Sequence, residues 1–179
     1  MEPLTTESIE ENKQKILSLL NSVERENIDA LITYLKESDF FVAPASTRYH
    51  LNFPGGLAQH SLNVCKSLKH LNKIYKINIP EESVIITSLL HDICKINLYI
   101  PTGNGYIFNS SQPPGHGSLS VERIKKYIDL TEKEEMMIRW HMNHYDKEFE
   151  NSESSIRGKH PEIYVMYFAD HLSSEYLEK

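Results

Sequence analysis

The chain has 179 residues, enough for one compact domain with a helical appendage and too few for a multidomain machine. With 19 basic against 25 acidic residues its formal net charge is −6, which excludes the bulk positive field that grips long polyanions or acidic lipid. A share of 40% hydrophobic and 25% charged residues predicts a packed core rather than a disordered chain. Cys65 and Cys94 are too few for a disulfide framework. The first residues lack the basic-then-apolar order of a signal peptide, and no apolar run approaches the roughly 20 residues that span a bilayer. The expected compartment is the cytoplasm, with no membrane segment.

In chain order, residues 6–20 set Ile9, Ile16, Leu17, Leu19 and Leu20 on a helical period behind a Thr6/Ser8 cap signal. Residues 23–36 repeat the period, so 1–45 predict a helical hairpin packing on a main domain over 46–179. Residues 39–56, with two prolines and a Gly-Gly pair, predict a long ordered loop of the kind that often carries function. A helix over 57–75 places His60 in the stripe of Leu57, Val64, Leu68, Leu71 and Tyr75, hence inward. Pro80 followed by Glu81 and Glu82 opens a nearly all-apolar helix through SVIITSLLHDICK, which predicts the central buried element. LYIPTGNGYIF over 98–108 reads as a β-hairpin, a small flap. Two short amphipathic helices follow, HGSLSVERIKKYI and TEKEEMMIRWHM, the second opened by a Thr131/Glu134 capping box. Residues 146–159 read as polar and irregular, and Pro161 opens a last helix whose apolar face carries Ile163, Met166, Tyr167, Leu172 and Leu177. The fold class is therefore all-α, a helical bundle with one small hairpin.

Nine histidines direct attention to metal binding and proton transfer. Taken singly, an inward histidine is more often a satisfied core residue than a ligand. Read together, His60, the His91-Asp92 pair at the end of the most apolar helix, and Asp170 on the face of Ile163 and Met166 bring imidazoles and carboxylates from separate helices. Burying ionised carboxylates costs several kcal/mol without a compensating cation or donors, and a mixed nitrogen and oxygen set suits a divalent ion.

His60 in GGLAQHS, His91-Asp92 in LLHDICK and Asp170 in YFADHL resemble the pattern of the HD-domain metal-dependent phosphohydrolases, over roughly residues 46–175. The segment YHLNFPGGLAQHSLNV is similar to one in HD proteins related to bacterial 3′–5′ exoribonucleases. The resemblance implies that His60, His91, Asp92 and Asp170 hold one divalent ion, and that His116 and His141 hold a second, with Asp92 bridging and acting as a catalytic group. Manganese, iron, cobalt, nickel, zinc or magnesium would suit. Lys95 lies three residues after Asp92, where relatives carry a phosphate-contacting lysine, and it is the second catalytic candidate. Cys94 stands where relatives have glycine and reads as a buried thiol. Arg48 and His50 in the loop, and His144 three residues after His141, are expected at the substrate. His171 reads as structural or partly exposed, and His70 and His160 as surface or capping residues. The implied reaction is hydrolysis of a phosphate ester of a small phosphorylated substrate, a nucleotide, by metal-activated water. The alternatives are a 3′–5′ exonuclease or cyclic-nucleotide phosphodiesterase, and a non-catalytic metal- or nucleotide-binding sensor. Long nucleic acid is not an expected partner, because no Lys/Arg-dense stripe is present.

Overall fold

The computed structural model describes residues 2–113, 116–142, 147–156 and 158–179. Thr5 opens α1 (Thr6–Asn21) by accepting the Ser8 amide on its hydroxyl at 3.1 Å, which satisfies one of the unpaired N–H groups of a first turn. α2 (Ile28–Glu37) starts later than the periodicity predicts, because Asn27 turns the chain in the left-handed region at φ 62°. The loop that follows is ordered by its own apolar residues: Phe40, Phe41, Ala43, Ala45, Leu51 and Phe53 are all buried.

α3 (Gly56–Tyr75) is flanked by α1, α4 (Glu81–Leu90) and α8 (Pro161–Leu172), and α6 (Glu132–Arg139) packs on α4, α5 (Gly117–Ile124) and α8. Every residue of α4 (Glu81–Leu90) from Val84 onward is buried, so the helix runs through the core as its composition predicts. The main apolar cluster extends without interruption from Ile16, Leu20, Leu31 and Leu35 of the first two helices to Ile86, Leu89 and Leu90 of α4 and on to Ile124 and Ile138. β1 (Tyr99–Thr102) and β2 (Gly105–Phe108) pair antiparallel with Tyr99 opposite Phe108 and Thr102 opposite Gly105, the predicted hairpin. No helix among the described residues is long and apolar enough to cross a membrane.

The remaining helices are α5 (Gly117–Ile124), α6 (Glu132–Arg139), α7 (Lys147–Ile156) and α8 (Pro161–Leu172), which passes into a π-helical turn over Ser173–Leu177. α7 corrects the expectation of an irregular segment over 146–159. Its polar sequence carries two apolar anchors two turns apart, Phe149 and Ile156, and both bury against Trp140 and Ile163. Tertiary packing supplies the stability that local periodicity does not announce. Leu172 and Leu177, expected in the apolar face of the last helix, are instead 39% and 52% exposed.

The capping box of α6 doubles as a tertiary anchor. Glu134 accepts the Thr131 amide at 2.8 Å and the Ser83 hydroxyl at 2.8 Å, while the Arg25 guanidinium grips both of its carboxylate oxygens at 3.0 and 3.1 Å. Burial favours the neutral acid, but the Arg25, Thr131 and Ser83 donors outweigh it and hold the group below its ordinary value of 4.5. A depressed carboxylate stabilises the fold above its unfolded pKa and loses that contribution as pH falls through the folded value. Glu134→Ala is expected to cost about 3 kcal/mol at neutral pH, the scale of breaking a buried pair. Urea unfolding of the variant should show the deficit shrinking as pH falls below about 4.5; a deficit independent of pH would mean that the carboxylate charge does not act as described.

Candidate metal centre

His60 stands just inside the N-terminus of α3, and the approach of that terminus to the preceding loop depends on Gly56. A Cβ there would lie 2.1 Å from the Leu51 carbonyl oxygen, so no larger residue fits without moving α3. α4 ends at Leu90, earlier than the expected run to Lys95. His91 closes it in helical geometry, Asp92 leaves it at φ −106° and ψ 17°, and a 3-10 turn over Ile93–Lys95 follows. His116 caps α5, whose first residue, Gly117, sits against the end of α6; a Cβ on it would lie 1.9 Å from the Arg139 carbonyl oxygen. That contact sets His116 beside His141, with ring centroids 5.1 Å apart. Asp170 comes from the last turn of α8.

These elements converge on one point. His60 Nε2 lies 3.2 Å from His91 Nε2, 3.1 Å from Asp170 Oδ1 and 3.6 Å from Asp92 Oδ2. On the other side of Asp92, its Oδ1 lies 2.8 Å from His116 Nε2 and 3.6 Å from His141 Nε2. Lys95 Nζ reaches Asp92 Oδ2 at 2.7 Å and donates to the Ala45 carbonyl at 2.7 Å. Two of the imidazoles have their tautomer set by the backbone: His91 Nδ1 donates to Ser88 O at 2.8 Å and His141 Nδ1 to Ile138 O at 2.7 Å. Their Nε2 atoms therefore face inward. His141 Nε2 and Asp92 Oδ1 are buried with no hydrogen-bond partner among the described residues. The 2.8 Å approach of His116 to that oxygen is a charge contact rather than a well-directed hydrogen bond.

The electrostatics have the same sense. Burial, joined by His141 and His60, keeps His91 neutral, its pKa lowered to about 3 despite the pull of Asp92. Burial also opposes charge on His60 and His116, yet Glu178 and Asp170 push the first up to about 10 and Asp92 pushes the second up to about 10. Asp92 is held well below the usual carboxylate range, where Lys95, His91 and His116 outweigh its burial. Buried lone pairs and carboxylate oxygens facing one another are a donor set for a cation. The groups His60, His91, Asp170 and His91, Asp92, His141 and Asp92, Cys94, His116 could each hold a metal ion.

A profile of the HD domain matches residues 57–175. The chain belongs to the HD domain family. Among curated proteins, a dihydroneopterin 2′,3′-cyclic phosphate phosphodiesterase of Methanocaldococcus jannaschii is 26% identical over 175 residues, which cover 93% of this chain and 64% of the relative. The chain thus spans about two thirds, and slightly less, of the length of that relative. No solved structure matches the chain.

In this HD domain the six residues expected at the metal, and Lys95 with them, are brought together. The centre opens into a cavity of about 550 Å³ whose walls include Tyr49, His50, Tyr99, Phe108, Tyr167 and His171. His50 lines it. Arg48 is exposed, its guanidinium over the Tyr49 ring at 5.3 Å, and does not line the cavity. His144 lies outside the described residues. Cys94 is a buried thiol as expected, with Sγ 3.7 Å from His116 Nδ1. His171 is exposed and stacks on Tyr167.

One residue at the centre escapes sequence reasoning. Glu178, 2% exposed, has both oxygens 3.0 Å from His60 Nδ1 and accepts Asn63 Nδ2 at 2.9 Å. An α-helical continuation of α8 would turn Leu177 inward. The π-helical turn adds one residue per turn, so the inward position passes to Glu178 and Leu177 faces out. No spacing rule announces such a turn.

Because His60 and His116 carry protons up to about pH 10 in the ion's absence, an ion that takes their place must expel them. Calorimetric titration of the apoprotein with zinc or manganese, in buffers of different ionisation enthalpy, is expected to show one to two protons released per ion. Affinity should rise with pH between about 6 and 9. Binding that releases no proton would place the ion elsewhere.

Proposed function

We propose that this HD domain is a divalent-metal-dependent phosphohydrolase acting on small phosphodiesters, among them cyclic phosphates carried by a planar heterocycle. The observation that carries the reading is the convergence of the inward Nε2 atoms of His91 and His141 with the Asp92 and Asp170 carboxylates, in a buried site where His141 Nε2 and Asp92 Oδ1 have no hydrogen-bond partner among the described residues. His60, His91, Asp92 and Asp170 would hold one ion and Asp92, His116 and His141 a second. A divalent ion there would offset phosphate charge and bring the pKa of a water towards neutrality.

The chain's own residues supply the rest. Lys95 lines the cavity and is the protein's fixed positive charge beside the reacting phosphate. His116, the most exposed of the ligand candidates at 35% of its side chain, stands at the cavity edge, where entering substrate meets the centre. His50 faces the same cavity from the loop. The aromatic wall of Tyr49, Tyr99, Phe108 and Tyr167 suits a flat ring, since aromatic faces stack on any π system. The size of the cavity favours a small molecule over a polymer, and the relative's substrate, a cyclic phosphate on a pterin, fits the same description. The phosphodiester reading is preferred to a monoester because of that relative. Exonucleolytic and cyclic-nucleotide substrates remain within the same chemistry and are decided by the test.

The test is a hydrolysis panel with manganese-loaded protein: bis(p-nitrophenyl) phosphate, 2′,3′- and 3′,5′-cyclic nucleotides, short single strands, and nucleoside monophosphates. Cleavage of diesters with little action on monoesters is expected. Lys95→Ala should lower kcat/KM about 10- to 1000-fold, equivalent to about 1.4–4 kcal/mol of transition-state stabilisation, and Asp92→Ala should abolish turnover. Activity of Asp92→Ala equal to wild type, or a folded metal-loaded protein inert on every phosphoester, would overturn the reading.

A further inference from the structure

We propose that Glu178 is a positioning residue that sets two imidazoles at once, the ligand candidate His60 and the cavity-wall His50, so that ion binding and substrate binding are coupled through one carboxylate. The inference rests on the functional reading above, and its first test does not use turnover.

The carboxylate of Glu178 is fully removed from solvent, and such a group persists only with donors around it. Three side chains supply them: Asn63 Nδ2 at 2.9 Å, His60 Nδ1 at 3.0 Å and His50 Nδ1 at 2.5 Å. An imidazole that donates through Nδ1 presents Nε2 on the far side of its ring. For His60 that side holds His91, Asp92 and Asp170; for His50 the ring lines the cavity. The two rings meet edge to face with centroids 4.8 Å apart.

The contrast with the other imidazoles is informative. His91 and His141 lean on the backbone carbonyls of their own helices' last turns, supports that exist wherever the helix exists. His60 leans on a side chain from the far end of the described chain, and the same side chain holds a residue of the 39–55 loop. The backbone of that residue is pinned as well: Ser46 Oγ accepts the His50 amide at 3.0 Å and donates to the His50 carbonyl at 2.7 Å. Only the ring of His50 is left to be set, and Glu178 sets it.

His50, His60 and Glu178 also form a group able to hold an ion. The contact between His50 Nδ1 and Glu178 Oε2 is within hydrogen-bond distance, with the carboxylate the acceptor of both rings.

The experiment compares Glu178→Gln, His50→Ala, their double variant and Asn63→Ala, the last loosening Glu178 without removing it should Glu178→Gln fold poorly. Zinc affinity is read by competition with a fluorescent chelator, and His60 by its side-chain ¹⁵N shifts in zinc-loaded protein. Glu178→Gln is expected to weaken zinc about 10- to 100-fold, the usual effect of losing a ligand's outer partner, and to move the His60 Nδ1 resonance. Asn63→Ala should do the same to a smaller degree. His50→Ala should weaken zinc less than Glu178→Gln does and raise KM for the best diester of the panel. In the Glu178→Gln background the same His50→Ala change should add less than half of its own effect, the mark of residues acting as a unit. Zinc affinity and His60 shifts unchanged in Glu178→Gln, or KM effects of the two variants that simply multiply, would overturn the proposal. Zinc lost in Glu178→Gln while no variant cleaves any diester would retire the phosphohydrolase reading and leave Glu178 in its role towards His60, with His50→Ala then read on the Kd of inorganic phosphate.

Discussion

The negative charge of Asp92 is the constraint around which this HD domain is arranged. The residue is 2% exposed at the end of a helix that is apolar on every side, and a carboxylate in such a place destabilises the fold by several kcal/mol unless cations or donors surround it. Lys95 supplies one at 2.7 Å and His116 a second at 2.8 Å, while Nε2 of His60, His91 and His141 also lies within 3.6 Å, the last two as acceptors turned towards the place of a cation. Each comes from a different part of the chain. The charge balance of one side chain therefore requires α3, the α4 end, the α5 cap and the α6 end to meet. Even the 39–55 loop is drawn in, since the Ala45 carbonyl takes the second hydrogen bond of Lys95.

Backbone features make that meeting possible. Adjacent residues on a continuous α-helix point about 100° apart, yet His91 Nε2 and Asp92 Oδ2 stand 3.4 Å from each other. The end of α4 at Leu90 and the 3-10 turn after Asp92 allow both side chains to face one point and swing Lys95 towards it. Gly56 and Gly117 act at the two flanks, each admitting a carbonyl oxygen where a side chain would stand. The glycines beside His60 and His116 are thus packing requirements of the centre as much as features of a motif.

Much of this is legible in the sequence, for identifiable reasons. α3 and α4 carry strong apolar periods, the hairpin is announced by Gly-Asn-Gly, and α6 opens on a capping box that the structure reproduces with both of its hydrogen bonds. His60, His91, Asp92 and Asp170 stand out because buried polar residues interrupt apolar faces. What is not legible depends on contacts that no local pattern encodes. α7 is a helix because Phe149 and Ile156 find Trp140 and Ile163, and two anchors in a polar segment leave almost no period. Glu178 occupies its place because a π-helical turn shifts the register by one residue, which makes an acidic residue internal and a leucine external. Arg48 shows the converse. It is the right residue type in the right loop, yet it turns outward onto Tyr49.

Lys95 has a consequence of a different kind. A free lysine side chain gives up as much as about 2 kcal/mol of rotational entropy when it is immobilised, and in most binding sites that loss accompanies ligand capture and weakens it. Here the ammonium is already ordered between Ala45 and Asp92, with the third of its donors left for the cavity. The disorder was removed when the chain folded. An anion that entered the cavity would meet a stationary cation, and its affinity would not be lowered by having to arrest one.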